Sequence, residues 1–365
     1  MYWLNGYRMR LMLVGIVAAI VLGVGASVRA DFTFGEPTNL GPTVNSSAYE
    51  SGPSVSSDGL SLYFRSARIG GYGETDLWLA TRSTTNDPWG EPINLGPVVN
   101  GLYKEGGPSI SSDGLTLYLY SNRPKGYGGN DIYVSTRETI DDPWSEAVNL
   151  GPTFNSSAND GGPHISADDL SLFFNSKRAG GSGDNDVYVS TRETTDGPWG
   201  EPVNVGPAVN SSVVDAAPCI STDGLCFFFQ STRPGGYGDA DIWVTTRFTI
   251  NDPWGEQVNL GQMVNSPYRE THPSLSVDGR TLYFNSNRPG GIGDNDIWQV
   301  SIIPIVDFNG DGIVDAADVC IMVDHWGEYY PLCDIGPMPW GDGMVDVQDL
   351  IILAEHLFEE IPPLD

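Results

Sequence analysis

Five copies of one module follow one another in this chain at a constant spacing of 55 residues. A turn aspartate marks each copy, at Asp58, Asp113, Asp168, Asp223 and Asp278. An Arg series from Arg68 and an Asp series from Asp76 keep the same spacing, and a Trp series from Trp89 lacks its fifth member. A repeat this regular predicts identical units packed side by side, because one such unit cannot bury its apolar face alone.

Each copy has the pattern of four short strands. In the second copy, residues 115–120 have strand periodicity after an Asp-Gly turn, and residues 131–136 are rich in β-branched and aromatic side chains. Residues 108–111 and 144–150 supply two further short strands. Four strands separated by Gly and Pro are typical of one blade of a β-propeller.

The two ends of the repeat region are complementary. The fifth copy stops near Val300, before its own Trp-Gly-Glu strand, whereas residues 34–41 match residues 89–96 in register, with Phe34 in place of Trp. An N-terminal strand that completes the last blade closes the ring, whereas an open solenoid leaves sheet edges exposed. We therefore predict an all-β, five-bladed propeller closed by an N-terminal strand over residues 31–303.

The repeat also resembles a known family. Its pattern Ser-x-Asp-Gly-x-x-Leu-Tyr-Phe-x-Ser-x-Arg, followed by Asp-Ile-Tyr/Trp-Val, resembles the WD40-like (PD40) repeat of TolB-type propellers. The resemblance implies a shared scaffold, but members of such a family differ in ligand, so it does not define a function.

The first 30 residues have the features of an export signal. Arg8 and Arg10 precede an apolar run from Leu11 to about Val24, and small residues lead to Ala30. Cleavage after Ala30 predicts a secreted protein, extracellular or associated with the cell envelope; retention as a membrane anchor is the alternative. No later stretch is apolar for long enough to span a bilayer.

The charge balance excludes one class of partner. The formal net charge is −29, from 47 acidic and 18 basic residues. Nucleic-acid binding needs clusters of Lys and Arg, so we expect no nucleic-acid partner. A surface this acidic suggests calcium, although most of the carboxylates serve only to keep an exported protein soluble.

One acidic residue precedes each predicted inner strand, at Glu50, Glu105, Asp160, Asp215 and Glu270. Because inner strands surround the channel of a propeller, we expect these carboxylates to ring one mouth of the axis and to recruit a hard cation or a polyol. The alternative is that each accepts backbone N–H bonds within its own blade. The Arg68 and Asp76 series predict an architectural ion pair in every blade.

Some positions differ between the copies. His164 stands where three copies have Ser, and His272 stands where the others have Gly or Ala. A His beside carboxylates is suited to metal coordination or general-base catalysis, and packing variation is the alternative. Tyr72, Tyr127 and Tyr237 share one loop position and offer stacking surfaces for a ligand.

A calcium loop of the EF-hand type begins after a linker at residues 304–306. Its predicted ligands are Asp307, Asn309, Asp311, the carbonyl of Ile313, Asp315 and Asp318. Gly312 permits the sharp turn that such a loop requires at its sixth position. A second, altered loop has the candidate ligands Asp334, Asp342, Met344 through its carbonyl, Asp346 and Asp349.

Two loop-helix units without preceding helices resemble a type I dockerin, here over residues 307–360. The resemblance implies a small all-α domain, two Ca²⁺ ions and a cohesin-type partner on an extracellular scaffold. The Ser/Thr pairs through which members of that family contact cohesin are replaced by residues 316–317 (Ala-Ala) and 347–348 (Val-Gln). An intramolecular, calcium-stapled cap for the propeller is the alternative.

Four cysteines in an exported chain predict two disulfides. Cys320 and Cys333 would cross-link the C-terminal module, and Cys219 and Cys226 flank the turn at Asp223. Free buried thiols are the alternative for the second pair.

Three hypotheses for function follow. The first is a secreted propeller that binds a glycan or a protein and is attached to an extracellular assembly. The second is a polysaccharide-degrading enzyme, a glycoside hydrolase or lyase, with Glu50, Glu105 and Glu270 as candidate catalytic acids at the axis. The third is an envelope interaction protein like TolB. The first is preferred because acids that all copies share do not single out a catalytic residue.

Overall fold

A computed structural model of the protein describes residues 32–247, 249–328, 330, 333–336 and 344–360. The predicted export signal therefore lies outside the described residues, as does Asp342 of the second predicted calcium loop. In the part of the chain that is described, no helix is long and apolar enough to cross a membrane.

The described chain forms short strands and four short helices. In chain order the elements are β1 (Phe32–Phe34), β2 (Thr38–Asn39), α1 (Gly41–Val44), β3 (Glu50–Val55), β4 (Ser61–Ser66), β5 (Asp76–Thr81), β6 (Ile93–Asn94), β7 (Glu105–Ile110), β8 (Thr116–Ser121), β9 (Asp131–Thr136), β10 (Val148–Asn149), β11 (Asp160–Ile165), β12 (Ser171–Ser176), β13 (Asp186–Thr191), β14 (Val203–Asn204), β15 (Asp215–Ile220), β16 (Cys226–Ser231), β17 (Asp241–Thr246), β18 (Val258–Asn259), α2 (Gly261–Val264), β19 (Glu270–Leu275), β20 (Thr281–Ser286), β21 (Asp296–Pro304), α3 (Ala316–Asp324) and α4 (Val347–Glu355).

The strands form five antiparallel sheets, which are the five predicted blades. Blades 1 to 4 are β3–β6, β7–β10, β11–β14 and β15–β18, and each runs from an inner to an outer strand. Blade 5 contains β19, β20 and β21, and its outer strand is β2 from the N-terminal end of the described chain. This confirms the predicted closure of the ring. Thr38 pairs with Gln299 as Ile93 pairs with Leu79 in blade 1. β1 adds a further antiparallel pairing with the end of β21.

The hydrophobic cores lie between neighbouring blades. Tyr63 and Leu77 of blade 1 pack with Leu117 and Leu119 of blade 2, and an equivalent cluster joins blade 5 to blade 1. An apolar side chain on each face of a blade therefore faces a neighbour, which is why one repeat alone cannot bury its surface. Burial of the ring's apolar residues is what holds the blades around the axis.

Residues after 306 have a separate hydrophobic cluster, which includes Val314, Met322, Val345 and Leu353. Each of the helices α3 and α4 begins with an Asp-x-x-Asp capping box, at Asp315 and Asp346. The segment has an internal two-fold pattern: the backbone of Val314 bonds the chain after α4, at Phe358 and Glu359. Val345 in turn bonds the chain after α3, at residues 327 and 328.

Candidate functional site

The five repeated acids begin the inner strands, and their side chains are fully buried. In blade 1 the Glu50 carboxylate accepts hydrogen bonds from Ser46 Oγ at 2.7 Å and Ser66 Oγ at 2.6 Å. It also accepts one from the Ser46 backbone N–H at 2.9 Å. The same carboxylate pairs with Arg68 Nη2 at 3.3 Å. The charge is therefore compensated inside the blade.

The other four blades repeat this ion pair. The pairs are Arg123–Glu105, Arg178–Asp160, Arg233–Asp215 and Arg288–Glu270, with N–O distances between 2.8 and 3.1 Å. None of the five acids is among the residues that line the axial cavity. They do not ring a channel mouth as expected, because a paired Arg and the hydroxyls of the same blade hold each carboxylate inside the blade.

The prediction that Arg68 pairs with Asp76 is wrong. The Asp76 carboxylate accepts hydrogen bonds from the backbone N–H groups of Tyr72 and Gly73 and from Asn94 Nδ2. It therefore fixes the loop between the second and third strands to the outer strand of the blade. The Arg of the repeat pairs instead with the inner-strand acid.

The axis itself is almost closed. A cavity of about 30 Å³ is lined by the Gly-Pro or equivalent pairs of the inner strands, together with His164 and His272. This volume holds one or two water molecules. Gly52 has φ = +62°, and a Cβ built there would lie 3.6 Å from Gly107 Cα, so the inner strands approach one another closely. His272 keeps the same left-handed conformation with φ = +53°.

Both histidines are placed where protonation is disfavoured. Burial lowers the pKa of His272 to about 3, with contributions from the nearby charges of Arg65, Arg269 and Lys104. Burial lowers the pKa of His164 to about 4, and its Nε2 lies 3.4 Å from the Ile220 carbonyl oxygen. Among the described residues, neither histidine is hydrogen-bonded to one of the repeated acids, which are held by groups of their own blades. The predicted carboxylate–His site is not assembled.

A ring of residues from the second strand of each blade lies near the start of the inner strands, and the sequence did not predict it. Its members, one from each blade, are Arg65, Tyr120, Asn175, Gln230 and Asn285. Arg65 Nη1 donates a hydrogen bond to Tyr120 Oη, and the guanidinium carbon lies 4.9 Å from the centre of the Tyr49 ring. The signal in the sequence was disagreement between the copies at one position of an otherwise repeated strand.

Exposed aromatic side chains lie on loops on the same face. Tyr72, Tyr127 and Tyr237 are 44 to 49% exposed, and their loops follow the ends of the second strands. Tyr103 and Tyr268 are 39% and 43% exposed and lie just before the inner strands of blades 2 and 5. The start of the inner strands is therefore the face that combines aromatic side chains with the non-repeated polar ring.

The opposite mouth of the axis is different in character. A cavity of about 220 Å³ is lined by the ends of the inner strands, including Val55, Ile110, Ile165, Ile220 and Leu275, and by Ser and Thr side chains. This mouth combines apolar side chains and hydroxyl groups with His164, which also lines the axial cavity, and it does not contain the repeated acids.

The first predicted calcium loop is folded around its own carboxylates. Asp307 accepts backbone N–H bonds from residues 310, 311 and 312, and Asn309 Oδ1 accepts one from Asp311. Asp318 is fully buried and accepts from the backbone of residues 308, 309 and 315. The donor set is all oxygen, as calcium requires, and Gly312 has φ = +89° at the sharp turn.

The second loop repeats part of this arrangement. Asp349 accepts backbone N–H bonds from Ile335, Gly336 and Asp346, as Asp318 does in the first loop. Burial raises the pKa of Asp349. Asp334 thus occupies the position that Asp307 has in the first loop, in spite of the insertion. Within the described ranges, no three His, Cys, Asp or Glu side chains are grouped so as to hold a metal ion.

Neither predicted disulfide is formed, because Cys219, Cys226 and Cys320 are free thiols. The strand register places Cys219 opposite Phe228, so Cys226 is not its cross-strand partner. In the C-terminal segment, Cys320 is exposed on α3, whereas Cys333 is buried in the hydrophobic cluster. The two cysteines of the C-terminal pair therefore lie in different surroundings.

Comparison with known proteins shows the class of fold. No family model and no curated protein matches the chain. Among solved structures, TolB from Acinetobacter baumannii is 14% identical with a TM-score of 0.45, over 70% of this chain and 54% of that one. This chain thus spans about half the length of that TolB. The catalytic domain of the Coprinopsis cinerea GH62 α-L-arabinofuranosidase is 13% identical with a TM-score of 0.50, over 76% of this chain and 98% of that one. The α-L-arabinofuranosidase PaAbf62A from Podospora anserina is 14% identical with a TM-score of 0.49, over 75% of this chain and 97% of that one.

The protein is a five-bladed β-propeller. At these identities the likeness is one of fold alone, and the properties of the similar proteins do not transfer with it.

Proposed function

We propose that this protein is an exported, non-catalytic propeller that binds a ligand at the face where its inner strands begin, and that a calcium-binding C-terminal module attaches it to an extracellular scaffold. One observation carries the binding function. The non-repeated second-strand ring and the exposed tyrosines lie at this face, whereas the repeated acids are held in ion pairs inside the blades. A symmetric scaffold with an asymmetric face is suited to recognition, because only the variable positions distinguish one blade from another.

The proposed module is the segment from residue 307 to residue 360, which resembles a type I dockerin. Its support is the all-oxygen donor set of the first loop and the reciprocal backbone bonds between its two halves. Calcium would fix the loop that precedes α3, with Asp307, Asn309, Asp311, Asp315, Asp318 and the carbonyl of Ile313 as ligands. A second ion would use Asp334, Asp346, Asp349 and, from the undescribed part of the loop, Asp342.

The helices of the module also have an apolar surface for a partner. Val323 and Trp326 at the end of α3 are 54% and 45% exposed, and Val347 and Ile351 of α4 are 55% and 54% exposed. Exposed apolar side chains at the C-terminal end of α3 and in the N-terminal half of α4 favour a protein partner, for which we propose a cohesin-type scaffold.

Thermal unfolding tests the calcium proposal. Calcium should raise the melting temperature of the C-terminal module, and a chelator should lower it again, because an ion bound only by the folded state stabilises that state. Asp311→Ala should weaken this response. Asp324→Ala removes the same charge from an exposed position outside the loop and should leave the response unchanged. Equal behaviour of the two variants would contradict the assigned loop.

Polysaccharide hydrolysis is the alternative function. It would require accessible carboxyl groups, whereas Glu50, Glu105 and Glu270 are buried and paired with arginines. We expect no new reducing ends when the calcium-loaded protein is incubated with plant and algal polysaccharides. Release that is lost on Glu105→Gln, in a variant that still folds, would make the hydrolase the better proposal.

A further inference from the structure

We propose that the ligand is an anionic glycan, bound by a cationic sector of this face that consists of Arg65, Lys104 and Arg269. The inference rests on the proposed binding function and names the chemical class of its ligand. The three residues come from blades 1, 2 and 5, which are neighbours around the ring.

The distribution of basic residues sets this sector apart. Nine arginines of the propeller recur at the 55-residue spacing: Arg68, Arg123, Arg178, Arg233 and Arg288 pair with acids, and Arg82, Arg137, Arg192 and Arg247 stack on tryptophans. The six other basic residues of the described chain are Arg65, Lys104, Lys125, Lys177, Arg269 and Arg280. Of these six, the members of the cationic sector are the ones whose charges help to lower the pKa of His272, and Arg65 and Lys104 both approach Tyr120. Half of the basic residues that are not needed by the repeat are therefore found at one place in a chain of net charge −29.

Arg65 is the strongest element of the sector. Its side chain is only 7% exposed, and it makes no ion pair with any carboxylate of the described chain. Its Nε is buried without a hydrogen-bond partner. A desolvated guanidinium normally has a carboxylate partner, because burying an unpaired charge is costly. Arg65 therefore adds an uncompensated positive charge to the sector, and the more exposed Lys104 and Arg269 supply the contacts with the ligand.

The backbone makes room for this arginine. Arg65 lies opposite Ser51 in the strand register, and its side chain crosses to blade 2 over Gly106. A Cβ at residue 106 would lie 2.7 Å from Arg65 Cδ and 2.6 Å from Tyr120 Oη. Glycine at this position therefore lets an arginine and a tyrosine from neighbouring blades meet near the axis.

Aromatic side chains accompany the charges. Tyr103 precedes Lys104, and Tyr268 precedes Arg269, whereas blades 3 and 4 have Ala158-Asn159 and Val213-Val214 at the same positions. Lys104 Nζ lies 5.8 Å from the centre of the Tyr120 ring. A tyrosine ring offers an apolar face and a hydroxyl group to a sugar, and a neighbouring cation recognises a carboxylate or sulfate on it. This combination favours an anionic glycan over a neutral one.

The overall negative charge does not prevent such binding. Charges on the exposed surface are screened beyond about 8 Å at physiological ionic strength, so groups in contact with the ligand decide affinity. Binding through Lys104 and Arg269 should therefore weaken as salt concentration rises.

Binding to defined polymers tests the inference. The full-length exported protein is titrated with polygalacturonate, with a sulfated galactan, with neutral galactan and with polyglutamate. We expect binding to at least one of the two charged polysaccharides and weaker binding to the neutral polymer. The two charged arms distinguish a carboxylate from a sulfate as the recognised group, and equal binding to polyglutamate would overturn the assignment of a glycan.

Matched variants locate the site. Lys104→Gln combined with Arg269→Gln should weaken binding about tenfold, because the double variant loses two partly exposed ion pairs with the ligand. Lys125→Gln combined with Lys177→Gln removes the same charge from exposed positions outside the sector and should change affinity less than twofold. Equal losses in the two pairs would overturn the site. Equal binding of neutral and charged galactans would overturn the ligand class but leave the binding function intact, whereas no binding to any polymer would refute both.

Discussion

The repeated ion pairs make a quantitative prediction about stability. Arg233 is the most buried of the five paired arginines, and its Nη2 lies 2.8 Å from Oδ1 of the fully buried Asp215. Removal of one partner of a buried pair costs about 3–5 kcal/mol, because the other charge stays buried. Asp215 retains its hydrogen bonds from Ser211, at the backbone N–H and Oγ, so we expect the lower end of this range for Arg233→Met.

A second arginine of the same blade is the matched control. Arg247 stacks on Trp254 at 4.3 Å and bonds the Gly224 carbonyl oxygen, but it pairs with no carboxylate among the described residues. Loss of one stacking contact and one charged hydrogen bond should cost about 1–2 kcal/mol in Arg247→Met. Urea unfolding followed by tryptophan fluorescence measures both variants on the whole protein.

A second substitution, Asp215→Asn, tests whether the ion pair is the cause, because its effect on the free energy of unfolding should differ in sign between two backgrounds. Asp215→Asn should destabilise the wild type, because it removes the partner of Arg233. In the Arg233→Met background the same change should stabilise the protein by about 1 kcal/mol or more, since it removes an uncompensated buried charge. A cost of Arg233→Met no greater than that of Arg247→Met, or destabilisation of both backgrounds by Asp215→Asn, would show that the buried ion pair does not determine this stability.

The remaining predictions concern thiols and acid stability. Burial raises the pKa of Cys219 to about 12 and that of Cys226 well above its ordinary value. Iodoacetamide should therefore label the exposed Cys320 rapidly in the native protein and spare these two thiols. Mass spectrometry of the labelled peptides checks this, and rapid labelling of Cys219 would contradict its burial. His164 and His272 have pKa values below the ordinary 6.5, so the unfolded chain binds more protons and stability falls as pH decreases from about 6.5 toward 4. His164→Ser should remove up to about 3 kcal/mol of this acid-dependent loss, and an unchanged pH profile of urea unfolding would show that His164 is not neutral in the folded state.

The acidic ring shows why site prediction from the repeat was incomplete. Spacing placed Glu50 and its equivalents correctly at the start of the inner strands, but spacing does not report where a side chain points. The choice between the axis and the blade depends on Arg68, which lies 18 residues later in the chain and reaches the same carboxylate. The same limit explains the wrong partner assigned to Asp76, since Glu50 and Asp76 both lie opposite Ser66, two residues before the arginine.

The disulfide predictions failed for a related reason. Residues seven positions apart around a turn are close in any hairpin, but the turn at Asp223 joins the Ser221 backbone N–H to the Cys226 carbonyl oxygen and so sets Cys219 opposite Phe228. This register is fixed by the geometry of the turn, which the spacing of the two cysteines along the chain does not report. Compartment and cysteine count therefore predicted a bond that the strand geometry does not allow.

The architecture follows from the amino-acid sequence alone. The 55-residue period, the four strands of each copy and the displaced outer strand at residues 38–39 together require five blades and a closed ring. These features follow from local periodicity and from the need of every blade to bury two faces, so they can be read along the chain. Which residues meet at the axis depends on the tertiary structure. Arg65, Lys104 and Arg269 are far apart in sequence and belong to three different blades, and it is ring closure that brings blade 5 beside blade 1 and so places their charges around one mouth.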